Sequence, residues 1–173
     1  MADNIRTANR EATRVACIRH VGPYHEIGAA FDRVFAWAGA RGVMGGPPGS
    51  SWEVIGIYYD NPRETAATDL RSDAGITLAD DFVCTEEDQA AGIIVRTLPA
   101  GAYLVATHTG PYSGLAEAWN RFIGTACQTH DLSALMESPC FEVYLNDPCT
   151  VPEDELRTDL YTPMRLTSPP LTP

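Results

Sequence analysis

Apolar residues recur along this chain in short runs and, at two places, with the spacing of an α-helix. The helical spacing predicts one helix over about residues 25–40 and a second over about 112–129. Their apolar stripes are Ile27, Phe31, Val34, Phe35 and Ala38, and Leu115, Trp119, Phe122, Ile123 and Ala126. Short apolar runs rich in β-branched residues predict strands. These strands cover residues 15–20, 53–59, 74–83, 93–98, 102–108, 141–146 and 158–164.

The second half of the chain repeats the first. Residues 20–38 read HVGPYHEIGAAFDRVFAWA, and residues 108–126, which begin 88 positions later, read HTGPYSGLAEAWNRFIGTA. A second match, LRSD at 70–73 and LRTD at 156–159, has an offset of 86. Because the matches keep their order at nearly one offset, they indicate a tandem duplication.

The repeat predicts an α+β domain made of two strand–helix–strand–strand copies. Two such copies would form a mixed, largely antiparallel sheet with both helices on one face and a ligand cleft on the other. A proline-rich tail would not join a packed element. The predicted parts are a single domain over 1–165, its copies at 13–84 and 93–165, a polar link at 85–92, and a loose tail at 166–173.

Charge and composition narrow the classes of function. The chain has 12 basic and 23 acidic residues, a net charge of −11, and 45% apolar residues. We therefore expect a packed core and no direct binding to nucleic acid, whose phosphates this charge repels. No secretory signal and no apolar run of membrane-spanning length is visible. Five cysteines without a CxxC pair indicate reduced thiols in the cytoplasm, with no metal site and no cofactor.

Strand alternation in residues 140–146 separates two sets of side chains. Phe141 and Val143 share one side, which we expect to pack on the helices. Glu142 and Tyr144 then face the predicted cleft. An acidic side chain beside phenols is a candidate binding site.

The two copies differ at the positions that would face this cleft. At an offset of 86, the first copy has Gly56 where the second has Glu142, and Gly75 where the second has Tyr161. Glycine inside a strand often marks the close approach of a ligand or another backbone. One copy would thus provide space and the other a carboxylate and a phenol.

The chemistry of this site predicts a cationic ligand. A desolvated Glu142 needs a cation or hydrogen-bond donors. A flat cationic ligand would supply the charge and could stack on aromatic rings. The candidate rings are Tyr58, Tyr144 and Tyr161. Alternatively, Glu142 is a solvated surface residue or pairs with Arg71 or Arg157.

Other candidates have stronger structural explanations. His20 and His108 occupy equivalent positions, so we expect both to serve the fold. Tyr112 shares that argument but could line the rim of the cleft, and Trp119, although a binding candidate, is expected in the core. Neither a GxSxG nucleophile motif nor a phosphate-binding loop is present.

Three motifs in this order resemble the GyrI-like small-molecule-binding domain, a duplicated (SHS2-type) effector-binding domain of AraC- and MerR-type regulators. They are HTGPY (108–112), FEVYLNDP (141–148) and ELRTDLYTPM (155–164), and the resemblance covers about 13–165. It implies a ligand cleft between the copies, with Glu142 as its central acid. In drug-sensing relatives this carboxylate meets lipophilic cations.

Three functions agree with this resemblance. The first, which we favour because binding is common to the family, is a standalone binding protein for amphipathic, often cationic aromatic molecules. The second is a hydrolase that opens the cyclopropane of DNA-alkylating natural products, with Glu142 activating water and Tyr144 or Tyr161 positioning or protonating the substrate. The third is an acidic protein inhibitor of DNA gyrase.

Overall fold

The computed structural model describes residues 5–44, 52–133 and 138–164. It contains eight strands and three α-helices. The strands are β1 (Arg6–Arg10), β2 (Thr13–Val21), β3 (Val54–Tyr58), β4 (Arg71–Thr77), β5 (Ile94–Leu98), β6 (Gly101–Thr109), β7 (Cys140–Tyr144) and β8 (Arg157–Pro163). The helices are α1 (Gly28–Arg41), α2 (Glu86–Ala90) and α3 (Leu115–Thr129).

The strands form one sheet in the order β1-β6-β8-β7-β3-β4-β2-β5, and its pairings are antiparallel. β3 and β7 meet at the centre, so the two copies lie on either side of their junction. Each copy follows strand–helix–strand–strand, which confirms the predicted α+β duplication. The outer strands are exchanged, since β1 pairs with β6 of the second copy and β5 with β2 of the first.

Both faces of the sheet are buried. On one face, α1 packs on β2 and β4, and α3 packs on β6. Trp37 and Val34 of α1, and Phe122 of α3, are buried in these two helix-side clusters. The sheet curls around a further apolar cluster on its other face, which includes Ile55 and Val105.

The prediction for the orientation of β7 was wrong. Phe141 and Val143 are fully or almost fully buried in the cluster on the face away from the helices, and Leu145 packs against it. Glu142 pairs with Leu160, which belongs to the α3 cluster, so Glu142 lies on the helix-bearing face. The alternation was read correctly, but the faces were exchanged because the sheet has an apolar core on each side.

Some element boundaries also differ from the predictions. β4 covers Arg71–Thr77 instead of 74–83, and Arg14 donates hydrogen bonds to the carbonyls of the loop that follows, at 79, 80 and 82. The polar link contains α2, whose N-terminus has a capping box made by Thr85 and Asp88. β1 was not predicted, since this exposed edge strand lacks an apolar pattern.

The predictions about the tail, membrane-spanning segments and metal sites can be compared with the described residues only. The predicted loose tail at 166–173 lies outside the described residues. Within the described ranges, no helix has the length and apolar character to cross a membrane, and no group of acidic, histidine or cysteine side chains is arranged to hold a metal ion. All five cysteines are free thiols.

Candidate functional site

Glu142 stands at the centre of the sheet, beneath the two long helices, and only 2% of it is exposed. Three aromatic side chains donate hydrogen bonds to its carboxylate. Tyr144 and Tyr58 donate from their hydroxyls to Oε2 over 2.6 and 2.9 Å, and Trp119 donates from Nε1 to Oε1 over 2.7 Å. Both carboxylate oxygens are therefore hydrogen-bonded by rings that also exclude water.

Gly56 provides the space for this arrangement. It is the direct cross-strand partner of Glu142. A Cβ atom at Gly56 would lie 2.9 Å from the Tyr58 hydroxyl oxygen and 3.0 Å from that of Tyr144, closer than van der Waals contact allows. The two hydroxyls, 3.1 Å apart, occupy the volume that any other residue would fill.

Burial dominates the electrostatics of the site. Desolvation raises the pKa of Glu142, while the hydrogen bonds from Tyr144, Trp119 and Tyr58 act in the opposite direction. Desolvation and the adjacent carboxylate raise the pKa of both tyrosines well above the ordinary value. Within the described residues, no Lys or Arg side chain forms an ion pair with Glu142.

More aromatic rings surround the two tyrosines. Tyr24 packs edge-on against Tyr58, with ring centroids 4.9 Å apart. Phe31 of α1 and Tyr112 pack edge-on against Tyr144 at 5.4 and 5.5 Å. Together with Trp119, these rings form a continuous aromatic shell around the carboxylate.

The two histidines before Gly-Pro-Tyr hold the turns that carry two of these rings. His20 Nε2 donates to the carbonyl of Pro23 over 3.0 Å, and His108 Nε2 donates to that of Pro111 over 3.1 Å. These equivalent contacts support the expectation that both histidines serve the fold.

The structure brings most of the candidate residues together but not all. Glu142, Gly56, Tyr58, Tyr144, Tyr112 and Trp119 lie at one place on the helix-bearing face. Tyr161 lies on the opposite face, where it stacks on Phe141 at 4.6 Å, and Gly75 lies there beside Val15 and Cys17. The strand register separates both from the site, because Tyr161 pairs with Phe141 and Gly75 with Ile55, whose side chains lie on the face opposite Glu142.

Neither alternative environment predicted for Glu142 occurs. Its burial excludes a solvated position on the sheet surface. Arg71 pairs with Asp60 over 2.8 Å, and Arg157 is not an ion-pair partner of Glu142 among the described residues. The carboxylate depends on aromatic donors instead of a guanidinium group.

The hydrogen bond from Trp119 and the proximity of Phe31 and Tyr24 were not predicted. A sequence signal for Trp119 existed, because it stands 88 positions after Phe31. An indole N–H thus replaces an apolar ring in the copy that carries the carboxylate. Trp119 packs against the core, as predicted, but its indole N–H also donates to Glu142, which was not predicted.

The site is closed in this conformation. With 2% of Glu142 exposed, a ligand reaches the carboxylate only after surrounding rings move. A cavity of about 310 Å³ lies elsewhere, and none of the residues around it contacts Glu142. It is lined by Ala12, Thr13, Arg14, Glu53, Thr77, Leu78 and Asp80.

Comparisons with known proteins agree with this fold. The DNA gyrase inhibitor of Escherichia coli (strain K12) is 29% identical over 145 residues, which cover 83% of this chain and 87% of that protein. The C-terminal domain of EcmrR superposes with a TM-score of 0.70 at 17% identity, covering 96% of this chain and 100% of that domain. SAV2435 bound to tetraphenylphosphonium gives a TM-score of 0.64 at 13% identity, with 94% of each chain covered. The model of the GyrI-like small molecule binding domain matches residues 4–165, and the chain therefore belongs to this family.

Proposed function

We propose that this protein binds amphipathic, cationic aromatic molecules at Glu142. The observation that supports this proposal is a buried carboxylate with three aromatic donors and, among the described residues, no ion pair to an Arg side chain. A bound cation would offset the desolvation of the charged form, which the hydrogen bonds offset only in part. Each ring that faces the cation would add about 0.5–2 kcal/mol.

Binding requires the aromatic shell to open. Trp119 lies on α3 and Tyr112 on the turn before it, so movement of this one segment would uncover one side of Glu142. The solved complex of SAV2435 with tetraphenylphosphonium concerns a protein of the same fold. It motivates the choice of that cation as the first probe.

Tryptophan fluorescence tests the proposal, because Trp119 contacts the carboxylate directly. Tetraphenylphosphonium should quench the fluorescence saturably. The Glu142→Gln variant should bind at least about 10-fold more weakly, since it loses an interaction between opposite charges in a desolvated site. Tetraphenylborate, an anion of the same shape, should not bind.

A matched control separates this charge from the general acidity of the protein. Glu117→Gln removes an equal charge from α3 at a side chain that is 79% exposed and pairs with Arg121. Its affinity for tetraphenylphosphonium should equal that of the wild type. Equal affinity of the wild type and Glu142→Gln, or equal binding of the anion, would contradict the proposal.

The structure offers less support for a hydrolase. A water activated by Glu142 would need space beside a carboxylate that is only 2% exposed and that three aromatic side chains already contact. We therefore expect mass spectrometry to recover a bound ligand unchanged. Addition of one water to a cyclopropane-bearing alkylator, lost in Glu142→Gln, would show turnover instead.

We infer a second candidate function, inhibition of DNA gyrase, from the name of the relatives and the net charge of −11. Such a charge favours association with a basic protein surface. Purified gyrase should lose supercoiling activity as the protein is added, and the protein should not shift the DNA alone in a gel. Full supercoiling at a large excess of protein would exclude this function.

A further inference from the structure

Two buried hydroxyl groups flank the Glu142 site without a hydrogen-bond partner among the described residues. They are Oγ of Ser72 and Oγ1 of Thr158, and both residues are 0% exposed. The two occupy equivalent positions, 86 residues apart. A buried hydroxyl without a partner is costly, so such a group inside a binding site indicates a contact made by the ligand.

The sheet register places both hydroxyls on the face of Glu142. Thr158 lies between Tyr144 and His108 on the neighbouring strands, and Ser72 lies in the same way between Tyr58 and His20. Thr158 is also a diagonal neighbour of Glu142, whose direct partner on β8 is Leu160. Ser72 is two strands away from Glu142, because β3 separates them.

The two halves differ in the ring that packs edge-on against the tyrosine beside each hydroxyl, which is Tyr24 against Tyr58 in the first copy and Tyr112 against Tyr144 in the second. In the first copy, the Tyr24 hydroxyl donates to the carbonyl of Asp60 over 2.8 Å and accepts from its N–H over 3.0 Å, which fixes the ring. The equivalent Tyr112 is 38% exposed, and its hydroxyl has no partner among the described residues. Asn146, at the position of Asp60, makes no hydrogen bond with Tyr112 among the described residues; its side chain bonds the backbone of Glu155 and Arg157. The ring of Tyr112 is therefore held by fewer contacts than that of Tyr24.

We propose that Thr158 is a second ligand-binding residue, which hydrogen-bonds an uncharged polar group, such as a hydroxyl or carbonyl, of the molecule whose cation meets Glu142. This rests on the proposed function and deepens it. Diagonal neighbours in antiparallel strands lie about 7–8 Å apart, which sets the separation of the two ligand groups. Access would come from the side of Tyr112, so Thr158 and not Ser72 should make the contact.

A pair of probes isolates this contact. Both are alkyltriphenylphosphonium cations with the same number of heavy atoms, one with an arm ending in a hydroxyl group and the other in a methyl group. The wild type should bind the hydroxyl probe about 3- to 10-fold more tightly, the value of one hydrogen bond in a buried site. Thr158→Val, which keeps the shape of the side chain, should abolish this preference, and Thr158→Ser should retain it.

Ser72→Ala is the matched control and should leave the preference unchanged. Thermal unfolding without ligand provides an independent readout, because removal of an unpaired hydroxyl should not lower the melting temperature of Thr158→Val. A lower melting temperature would show that the hydroxyl has a structural partner and would overturn the inference.

The possible failures are distinguishable. If the wild type binds neither probe, the proposed function itself is wrong. If both probes bind equally, or if Ser72→Ala abolishes the preference, only the role of Thr158 is wrong.

Discussion

Replacement of Tyr144 by phenylalanine is the most direct test of a charged Glu142. The change removes one hydroxyl and keeps the ring that packs against Phe31 and Tyr112. The hydroxyl donates to Glu142 Oε2 over 2.6 Å, the shortest of the three contacts to this carboxylate. After the change, Oε2 keeps only the hydrogen bond from Tyr58.

The size of the effect depends on the charge of the acceptor. A hydrogen bond to a charged group contributes about 1.5–3 kcal/mol, and one to a neutral group about 0.5–1.5 kcal/mol. Tyr103 offers the neutral comparison, because it is buried and donates to the carbonyl of Pro99 over 2.7 Å. Tyr144→Phe should therefore lower the free energy of unfolding by about 1 kcal/mol more than Tyr103→Phe does.

Urea unfolding at neutral pH measures both variants against the wild type. Loss of this donor, the largest of the groups that oppose desolvation, should also raise the pKa of Glu142 further. The excess cost of Tyr144→Phe should decrease in acid, where a protonated Glu142 leaves only a neutral hydrogen bond. An equal cost for the two variants at every pH would refute the charged-acceptor argument.

Three further changes have definite expected outcomes. Gly56→Ala should displace the hydroxyls of Tyr58 and Tyr144, which would lower the free energy of unfolding by about 1–3 kcal/mol and weaken the binding of tetraphenylphosphonium. Gly124→Ala is the control, because Gly124 lies in α3 with open space around it. This variant should raise the free energy of unfolding by about 0.5–1 kcal/mol in the same urea titration. Folding raises the pKa of Glu142, so the stability that this group contributes is complete below its ordinary pKa of 4.5 and is lost as the pH rises through the pKa of the folded protein. Between these two pKa values, the melting temperature of the wild type should therefore fall relative to that of Glu142→Gln. Asp88 accepts hydrogen bonds from Trp37 and Arg41 and has a lowered pKa, so its contribution to stability is present above pH 3.8 and is lost in acid. Asp88→Asn should lower the melting temperature at neutral pH and lower it less near pH 2. An unchanged melting temperature at neutral pH would contradict this role of Asp88.

Most of the fold was predictable from the duplication in the sequence. Its offset related the helices, and its shared His-Gly-Pro-Tyr segments marked the turn before each one. The exchange of β1 and β5 between the copies was not predictable from alternation, because β1 is an exposed edge with polar side chains. The one sequence signal for β1 is the repeat itself, because β1 lies 88 residues before β5, which was predicted.

The candidate site was predictable from differences between the copies more than from apolar periodicity. The replacement of Gly56 by Glu142 and of Phe31 by Trp119 marks residues that meet in the structure. The face of the sheet was not predictable, because alternation assigns residues to two sides without saying which side the helices cover. The register of β7 and β8 was not predictable either; Tyr161 pairs with Phe141 instead of lying beside Glu142, and it therefore packs on the opposite face.

The register at the centre of the sheet explains why the copies must differ at this position. β3 and β7 are equivalent strands, and they pair so that Gly56 faces Glu142 directly. A glutamate in both copies would place the two Cβ atoms about 5 Å apart and bring two carboxylates into one buried site, where like charges disfavour ionisation of both. A side chain larger than hydrogen opposite Glu142 would displace the two tyrosine hydroxyls that stabilise it. Glycine at position 56 therefore leaves the space in which the two tyrosine hydroxyls reach a single carboxyl group.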